Sequence, residues 1–421
     1  MTADRDNALG LYVSIPFCRS KCTYCNFASG VYPASEHARY VDRLIEDLSA
    51  AGAWADGMGV DLPRRVDTVY LGGGTPSLLA PQLLASLFAA MRSEFHFDPG
   101  AEITVECAPG QLADTTLAAL VAAGVNRVSP GVQSFIDREA QSSGRLHSRA
   151  IVADDLRRLR AAGIANLNVD LIAGLAGQTF DSWRESLDVL IDSGVPHASV
   201  YMLEVDEDSR LGREMLSGGA RYHAGLVPSD DAIARMYTQA IERLGSAGLI
   251  QYEISNFCRP GFASRHNLRY WRRRPYLGLG LDASSMLRVP MTRAAWDERT
   301  YAEQRYVLRS TTTDDLAAFL SGSQPVETAW LSPMSQQEEA WFLGLRLNAG
   351  VEVDELEREF GRSSVTPALQ VLPRLEKAGL LHRDANTIRL TARGQLLCNE
   401  VFQEFIGLAP EAELARPGKE S

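Results

Sequence analysis

The sequence predicts an α/β fold built on a parallel sheet, with a smaller, mainly helical domain after it, and three features point that way. Between residue 11 and about residue 206, short β-rich runs alternate six times with longer amphipathic stretches. After about residue 290 that alternation stops. The C-terminal part then reads as helices, a short β-like pair (LLHRDANTIRLT) and a last helix. Successive βα units imply right-handed crossovers and a parallel sheet, either an open doubly wound sheet or an incomplete barrel.

The strand candidates are LYVSIPF (11–17), RVDTVYLGG (65–73), EITVECA (102–108), RVSPGVQSF (127–135), NLNVDLIAGL (166–175) and HASVYMLEVD (197–206). Helix candidates lie between them at 36–54, 81–95, 115–124, 150–163 and 181–194. In either architecture ligands sit at the carboxyl ends of the strands. A cysteine triplet, the glycines of GGGTPS, Glu106, Gln133 and Asp170 all fall at or just past a predicted strand end, so residues remote in sequence are expected to face one cavity. The expected organisation is a core over 1–290, a linker over 291–330, a winged-helix-like domain over 331–408 and a tail over 409–421.

With 421 residues, 45% apolar and 23% charged, the chain is expected to be an ordinary globular protein with one large and one smaller domain. The polar start MTADRDNALG and the lack of an apolar run of about 18 residues predict neither a secretory signal nor an integral membrane segment. A cytoplasmic protein is the expectation, with peripheral membrane contact left open. The net charge of −11 disfavours nucleic acid as a partner, although the C-terminal outline is one that some nucleic-acid binders share. One basic island, SRHNLRYWRRRP (264–275), breaks the acidic pattern.

Three of the six cysteines, Cys18, Cys22 and Cys25, crowd into PFCRSKCTYCNFAS (16–29), while Cys107, Cys258 and Cys398 are scattered singly. In a reducing compartment this suggests a metal or cluster site plus buried thiols. Structural zinc takes four tetrahedral ligands, and no fourth Cys or His lies within metal-finger spacing. An iron–sulfur cluster with one iron left without a protein ligand fits better; an incomplete zinc site or incidental thiols are the alternatives. The glycine run in YLGGGTPS (70–77) follows a strand, where it would let backbone amides approach a ligand, or simply form a tight turn.

The CxxxCxxC spacing with its aromatic-containing loop resembles the signature of radical S-adenosylmethionine (SAM) proteins. YVSIPFC, LGGGTPSLL, EITVECAPG, NRVSPGVQSF, GRLHS, NLNVDLIAGLAGQT, QYEISNFCRPGF and RHNLRYW occur in an order similar to that of the HemN/HemW branch, which holds oxygen-independent coproporphyrinogen III oxidases and HemW haem chaperones. The resemblance runs from about Tyr12 to near Ile406. It implies a partial (βα)6 radical SAM barrel with a HemN-type C-terminal domain. It also implies a 4Fe-4S cluster on Cys18, Cys22 and Cys25, and SAM contacts from Tyr12, the Gly73-Gly74-Thr75 turn, Glu106, Gln133, Arg145 and Asp170. Carboxylates can accept from ribose hydroxyls or the SAM ammonium, an arginine can pair with its carboxylate, and Gln133 can do either.

Within that branch the oxidases continue the triplet as CxC, and here that position is Phe27; they also carry a longer N-terminal extension, whereas 17 residues precede Cys18. Both features are closer to the HemW type, as is HNLRYW (266–271), which is similar to an element linked with haem binding. The resemblance implies His266 as a haem ligand, Tyr270 and Trp271 as stacking partners, and Arg265, Arg269 and Arg272 to Arg274 as propionate partners. Where relatives have a GxGAHS-like stretch this chain reads GLGLDASS (278–285), with Ser284 in place of the histidine. The implied function is a haem chaperone that binds haem and hands it to acceptor proteins. A radical SAM enzyme, either a coproporphyrinogen III oxidase or a HemN-like methylase, is the alternative.

Overall fold

The structure, a computed structural model, describes residues 8–290, 306–322 and 327–408. Its described residues divide into two compact units, one holding 8–269, 274–290, 308–322 and 327–329, the other holding 270–273, 306–307 and 330–408. The tail expected over 409–421, and residues 291–305 and 323–326 of the expected linker, lie outside the described residues.

The first unit is built from β1 (Leu9–Ile15), α1 (Ala34–Met58), β2 (Arg65–Gly73), α2 (Pro81–Glu94), β3 (His96–Cys107), α3 (Asp114–Ala122) and β4 (Arg127–Gln133). It continues through α4 (Asp137–Ser142), α5 (Arg149–Ala161), β5 (Asn166–Ala173), α6 (Phe180–Asp192) and β6 (His197–Met202). Strands β1 to β6 lie side by side in chain order and all run parallel. A doubly wound sheet reverses its strand order partway; this sheet does not, and uninterrupted order is the winding of a barrel. The barrel is partial. After α7 (Arg210–Leu216) and α8 (Asp230–Ser246), the chain adds β7 (Ile250–Glu253) and β8 (Asn256–Cys258), which extend the sheet antiparallel beyond β6. Then α9 (Arg265–Trp271) leads to β9 (Tyr276–Leu279), which pairs parallel with β1, and to β10 (Ser284–Arg288).

Period-two alternation decides what each face of the sheet carries. Leu11, Val13, Val69, Leu71, Val105, Val128, Val169 and Leu171 are fully buried. Burial of this kind stabilises by about 1.5–3 kcal/mol for each large side chain. The alternate positions are polar or aromatic, and register puts them on one face: Tyr12 opposite Tyr70, Tyr70 opposite Thr104, Glu106 opposite Ser129, Asp170 opposite Ser199. That face satisfies itself. Asn168 donates to Asp170 Oδ1 (2.7 Å) and Ser129 Oγ (2.7 Å), and its Oδ1 meets His197 Nδ1 at 2.6 Å. His197 Nε2 meets the Tyr252 hydroxyl at 2.9 Å, and burial pushes this histidine well below its ordinary range, so it is neutral.

The stretch read as linker is partly regular. Val307–Thr311 and Glu327–Leu331 are strands of the same large sheet, and Leu316–Ser321 is a helix capped by Asp315. Its apolar residues explain the difference: Leu308 is buried, and Phe319 packs its ring against Tyr40 at 4.9 Å. The second unit holds helices Pro333–Leu345, Val353–Phe360 and Arg362–Lys377, and a three-stranded sheet in which Leu381–Asp384 and Thr387–Leu390 form an antiparallel hairpin. Trp341, fully buried, stacks on Phe405 at 5.0 Å in its core. Among the described residues no helix is long and apolar enough to cross a membrane.

One buried cation closes the amino end of the barrel. Arg269 of α9 pairs with Asp67 at the start of β2 and donates to the carbonyls of Ala8 and Pro275, both at 2.8 Å. Gly10 leaves the room for it, since a Cβ there would lie 2.4 Å from the Arg269 side chain. Removing one partner strands the other's charge, so Arg269→Ala is expected to lower unfolding stability by about 3–5 kcal/mol in denaturant titration.

Candidate functional site

The three thiols sit on a loop that the main chain closes. Just past β1, Cys18 N–H donates to the Gly30 carbonyl and Gly30 N–H returns the bond to Pro16, each at 2.8 Å. Lys21 Nζ caps the loop's carbonyls at Phe27 (3.1 Å) and Ser29 (3.0 Å). Midway, Thr23 N–H donates to Ser143 and the Thr23 carbonyl accepts from Leu211, which holds the loop between the end of α4 and the start of α7. The Ser29 hydroxyl lies 3.9 Å from Cys25 Sγ, and the Thr75 hydroxyl the same distance from Cys18 Sγ. Burial pushes the Cys18 thiol up, the Thr75 and Ser29 hydroxyls oppose this, and the nearby Cys25 and Cys22 add to it. All three thiols are unpaired by disulfides, and among the described residues no three His, Cys, Asp or Glu side chains converge tightly enough to grip a single metal ion. A cubane spreads its ligands over separate irons, so a cluster would need the three thiols on one loop without their meeting at a single ion.

The glycine turn works differently from the reading that its amides meet a ligand. Gly74 N–H donates to the Ile15 carbonyl and Thr75 N–H to the Phe17 carbonyl, both at 2.8 Å, and Gly73 N–H bonds the Glu106 carboxylate. These amides tie the end of β2 to the end of β1. Glycine is needed for the close approach: Gly73 has φ of 98°, and a Cβ on Gly74 would lie 2.8 Å from the carbonyl oxygens of Ile15 and Phe17.

On the inner face, four expected residues come together. Glu106 accepts from the Tyr70 hydroxyl at 2.7 Å. Burial pushes its carboxyl up to about 7, the Tyr70 and Gly73 donors and Arg145 hold it back, and Asp170 raises it. Asp170 is raised by burial too, against donors from Ser199, Asn168 and Ser129. Arg145 lies within electrostatic reach of both carboxylates, and its Nη2 is 3.2 Å from the Tyr24 hydroxyl in the cysteine loop. Gln133 ends β4 after a register shift and has φ of 68°, a left-handed conformation that costs a non-glycine residue about 1–3 kcal/mol. Gly131 makes space for both, since a Cβ there would meet Arg145 and Gln133 nitrogens at 3.1 Å.

Gln133 Oε1 and Arg145 Nε are buried without a partner, and such orphans call for a ligand. An acceptor and a cation beside two carboxylates suit an amino acid head group and a ribose. This donor set fits SAM. Tyr12 lines the same face, its ring 6.2 Å from that of Tyr70, and burial followed by the Glu106 charge keeps its hydroxyl neutral. Tyr24, Tyr70, Ser129 and Asn168, which position these groups, were legible only as alternation within a strand or as an aromatic in the loop. His147 is another: its Nε2 lies 3.1 Å from the Val132 carbonyl, and burial pushes it down to about 4.

His266 lies at the other end of the strands. It is fully buried, its backbone N–H donates to Glu102 (3.1 Å), and its Nδ1 lies 3.0 Å from the Thr68 hydroxyl. Its ring packs on Tyr70 at 5.3 Å, and burial pushes it down to about 3. The arginines expected to meet propionates are engaged within the protein. Arg265 donates to the Asp67 carbonyl, Arg269 pairs with Asp67, and Arg273 pairs with Glu359 at 2.7 Å while covering Phe360. Trp271 is covered by Arg346 at 4.3 Å, so its face is taken by a cation in the folded chain. Ser284 Oγ pairs with Thr311 Oγ1 at 3.1 Å.

The Radical SAM superfamily model matches residues 12–190, and the HemN C-terminal domain model matches residues 331–397. The chain is 32% identical to "Heme chaperone HemW" of Lactococcus lactis subsp. lactis over 94% of this chain and 96% of that one. It is also 32% identical to the protein of the same name from Bacillus subtilis, over 94% of this chain and 98% of that one. In fold it matches the coproporphyrinogen III oxidase HemN from Escherichia coli, a radical SAM enzyme, with a TM-score of 0.78 at 22% identity, over 96% of this chain and 91% of that one. If the glycine turn holds the cysteine loop in place, Gly74→Ala should fold but retain less than half the wild-type iron and sulfide after anaerobic reconstitution.

Proposed function

Because the chain belongs to the HemW family of radical SAM proteins, we propose that it binds a 4Fe-4S cluster, SAM and haem, and hands haem to acceptor proteins. Cys18, Cys22 and Cys25 would hold the cluster. Tyr12, the Gly73-Gly74-Thr75 turn, Glu106, Gln133, Arg145 and Asp170 would line the SAM pocket. When bound, the cluster supplies an open iron for SAM and an electron. The chain's own part is to orient: Arg145 presents a cation between the carboxylates and the cysteine loop, and the left-handed Gln133 aims its amide at the same space. The observation that carries the reading is the closed cysteine loop facing two buried carboxylates across Arg145, with Phe27, 62% exposed, where the oxidases' additional cysteine would stand.

The haem part rests on kinship, and His266 is the ligand proposed for it. Its imidazole is neutral, the form that binds iron. Sealed under Thr68 and Glu102, it can reach iron only if α9 leaves that seat, so haem binding through it is expected to be slow.

Anaerobic haem titration should give a Soret shift in the wild type and none in His266→Ala; the same shift in both would remove His266 from this role. Thr68→Val removes the His266 bond, worth about 1 kcal/mol, together with the 3.2 Å bond that Thr68 accepts from Arg269 Nε, and should speed haem binding at least about fivefold in stopped flow. Incubation with SAM, reductant and coproporphyrinogen III should yield no decarboxylated product, and turnover there would overturn the chaperone reading.

A further inference from the structure

Tyr70 belongs to no expected set of site residues, yet it touches two of them at opposite ends of the inner face. Its hydroxyl donates to Glu106 Oε1 at 2.7 Å, and its ring lies 5.3 Å from that of His266 at a tilt of 30°. Tyr12 flanks the pair, 6.2 Å from Tyr70 and 6.5 Å from His266. The first glycine of the run leaves room for this contact. A Cβ on Gly72 would lie 2.9 Å from the Tyr70 ring and 3.2 Å from the Glu106 carboxyl, so Gly72 is the gap through which the hydroxyl reaches the carboxylate. His266 in turn is fixed from below by Thr68, on the same strand as Tyr70 and two residues before it.

We propose that Tyr70 is a positioning residue that joins His266 to the SAM pocket: its hydroxyl orients Glu106 for SAM, and its ring is held in place by His266. Seating of the HNLRYW helix therefore bears on SAM affinity. Interiors are close-packed, so withdrawing the His266 ring opens space beside Tyr70 and frees its hydroxyl to leave Glu106. The inference uses the SAM pocket proposed above but needs no haem, so a failure to bind haem would leave it standing.

The test is SAM binding by equilibrium dialysis to cluster-reconstituted, haem-free protein, with cluster absorbance and thermal melting confirming that each variant is loaded and folded. Tyr70→Phe keeps the ring and removes one oxygen. It should weaken SAM about tenfold, as expected for losing a hydrogen bond to a charged group.

A pH profile separates positioning from general damage. Glu106 accepts from SAM as a carboxylate, so wild-type affinity should rise with pH through about 7. The groups facing it are Tyr70, Asp170, Arg145, the buried Cys107 thiol and, through their own raised hydroxyls, Tyr12 and Tyr201. Tyr70 is the donor that lowers the Glu106 carboxyl, so without it the rise should move to higher pH. His266→Gln, which keeps a polar group for Thr68 but removes the ring, should weaken SAM in the wild-type background and add nothing in the Tyr70→Phe background. Tyr70→Phe protein that binds SAM like wild type overturns the proposal. So does a His266→Gln effect that is absent or that multiplies independently of Tyr70.

Discussion

Two main-chain hydrogen bonds, from Gly74 to Ile15 and from Thr75 to Phe17, set the geometry on which the site depends. They bring the end of β2 against the first residues of the cysteine loop, closer than any side chain at position 74 would allow. Everything nearby follows from that approach. Thr75 comes within reach of Cys18 and Gly73 turns its amide onto Glu106, while the Cys18–Gly30 and Gly30–Pro16 bonds close the loop and Thr23 and Lys21 brace it. A backbone clamp of this kind has no side chain to rotate away, which suits a site whose ligands must stay fixed while thiolates and carboxylates crowd together.

Charge also crowds on the inner face. Glu106 and Asp170 share the inner face with one cation, Arg145, and both carboxyls are raised by burial. The protein offsets this cost with neutral donors: Tyr70 for Glu106, and Ser129 and Asn168 for Asp170. Behind Asn168 stands a neutral His197, so the chain of donors ends in groups that carry no charge of their own. Pre-arranged neutral dipoles hold a carboxylate in place without neutralising it, leaving it able to accept from a ligand.

Much of this was legible in the sequence because strand ends and glycines carry strong local signals. All six parallel strands and the five helices read between them are present, with boundaries that move by a few residues. Strand order settled the choice that periodicity left open, since both an open sheet and a barrel produce the same βα pattern. What could not be read was the direction of hydrogen bonds. The amides of the turn look free in a sequence, yet Gly73 bonds Glu106, Gly74 bonds Ile15 and Thr75 bonds Phe17. SRHNLRYWRRRP reads as a basic island with residues expected to contact haem, but Arg269 and His266 are among the most buried side chains, because Asp67, Thr68 and Glu102 far away in sequence meet them. Polar residues within strands, such as Tyr70 and Asn168, gave no sign of their roles beyond alternation.

The central claim is that Cys18, Cys22 and Cys25 hold a cubane with one iron left open. Mössbauer spectroscopy of iron-enriched, anaerobically reconstituted protein tests it most directly. The account predicts a 4Fe-4S spectrum in which one iron site changes its parameters when SAM is added while the others do not. A spectrum indifferent to SAM, or a protein that takes up zinc and assembles no cluster, would contradict it.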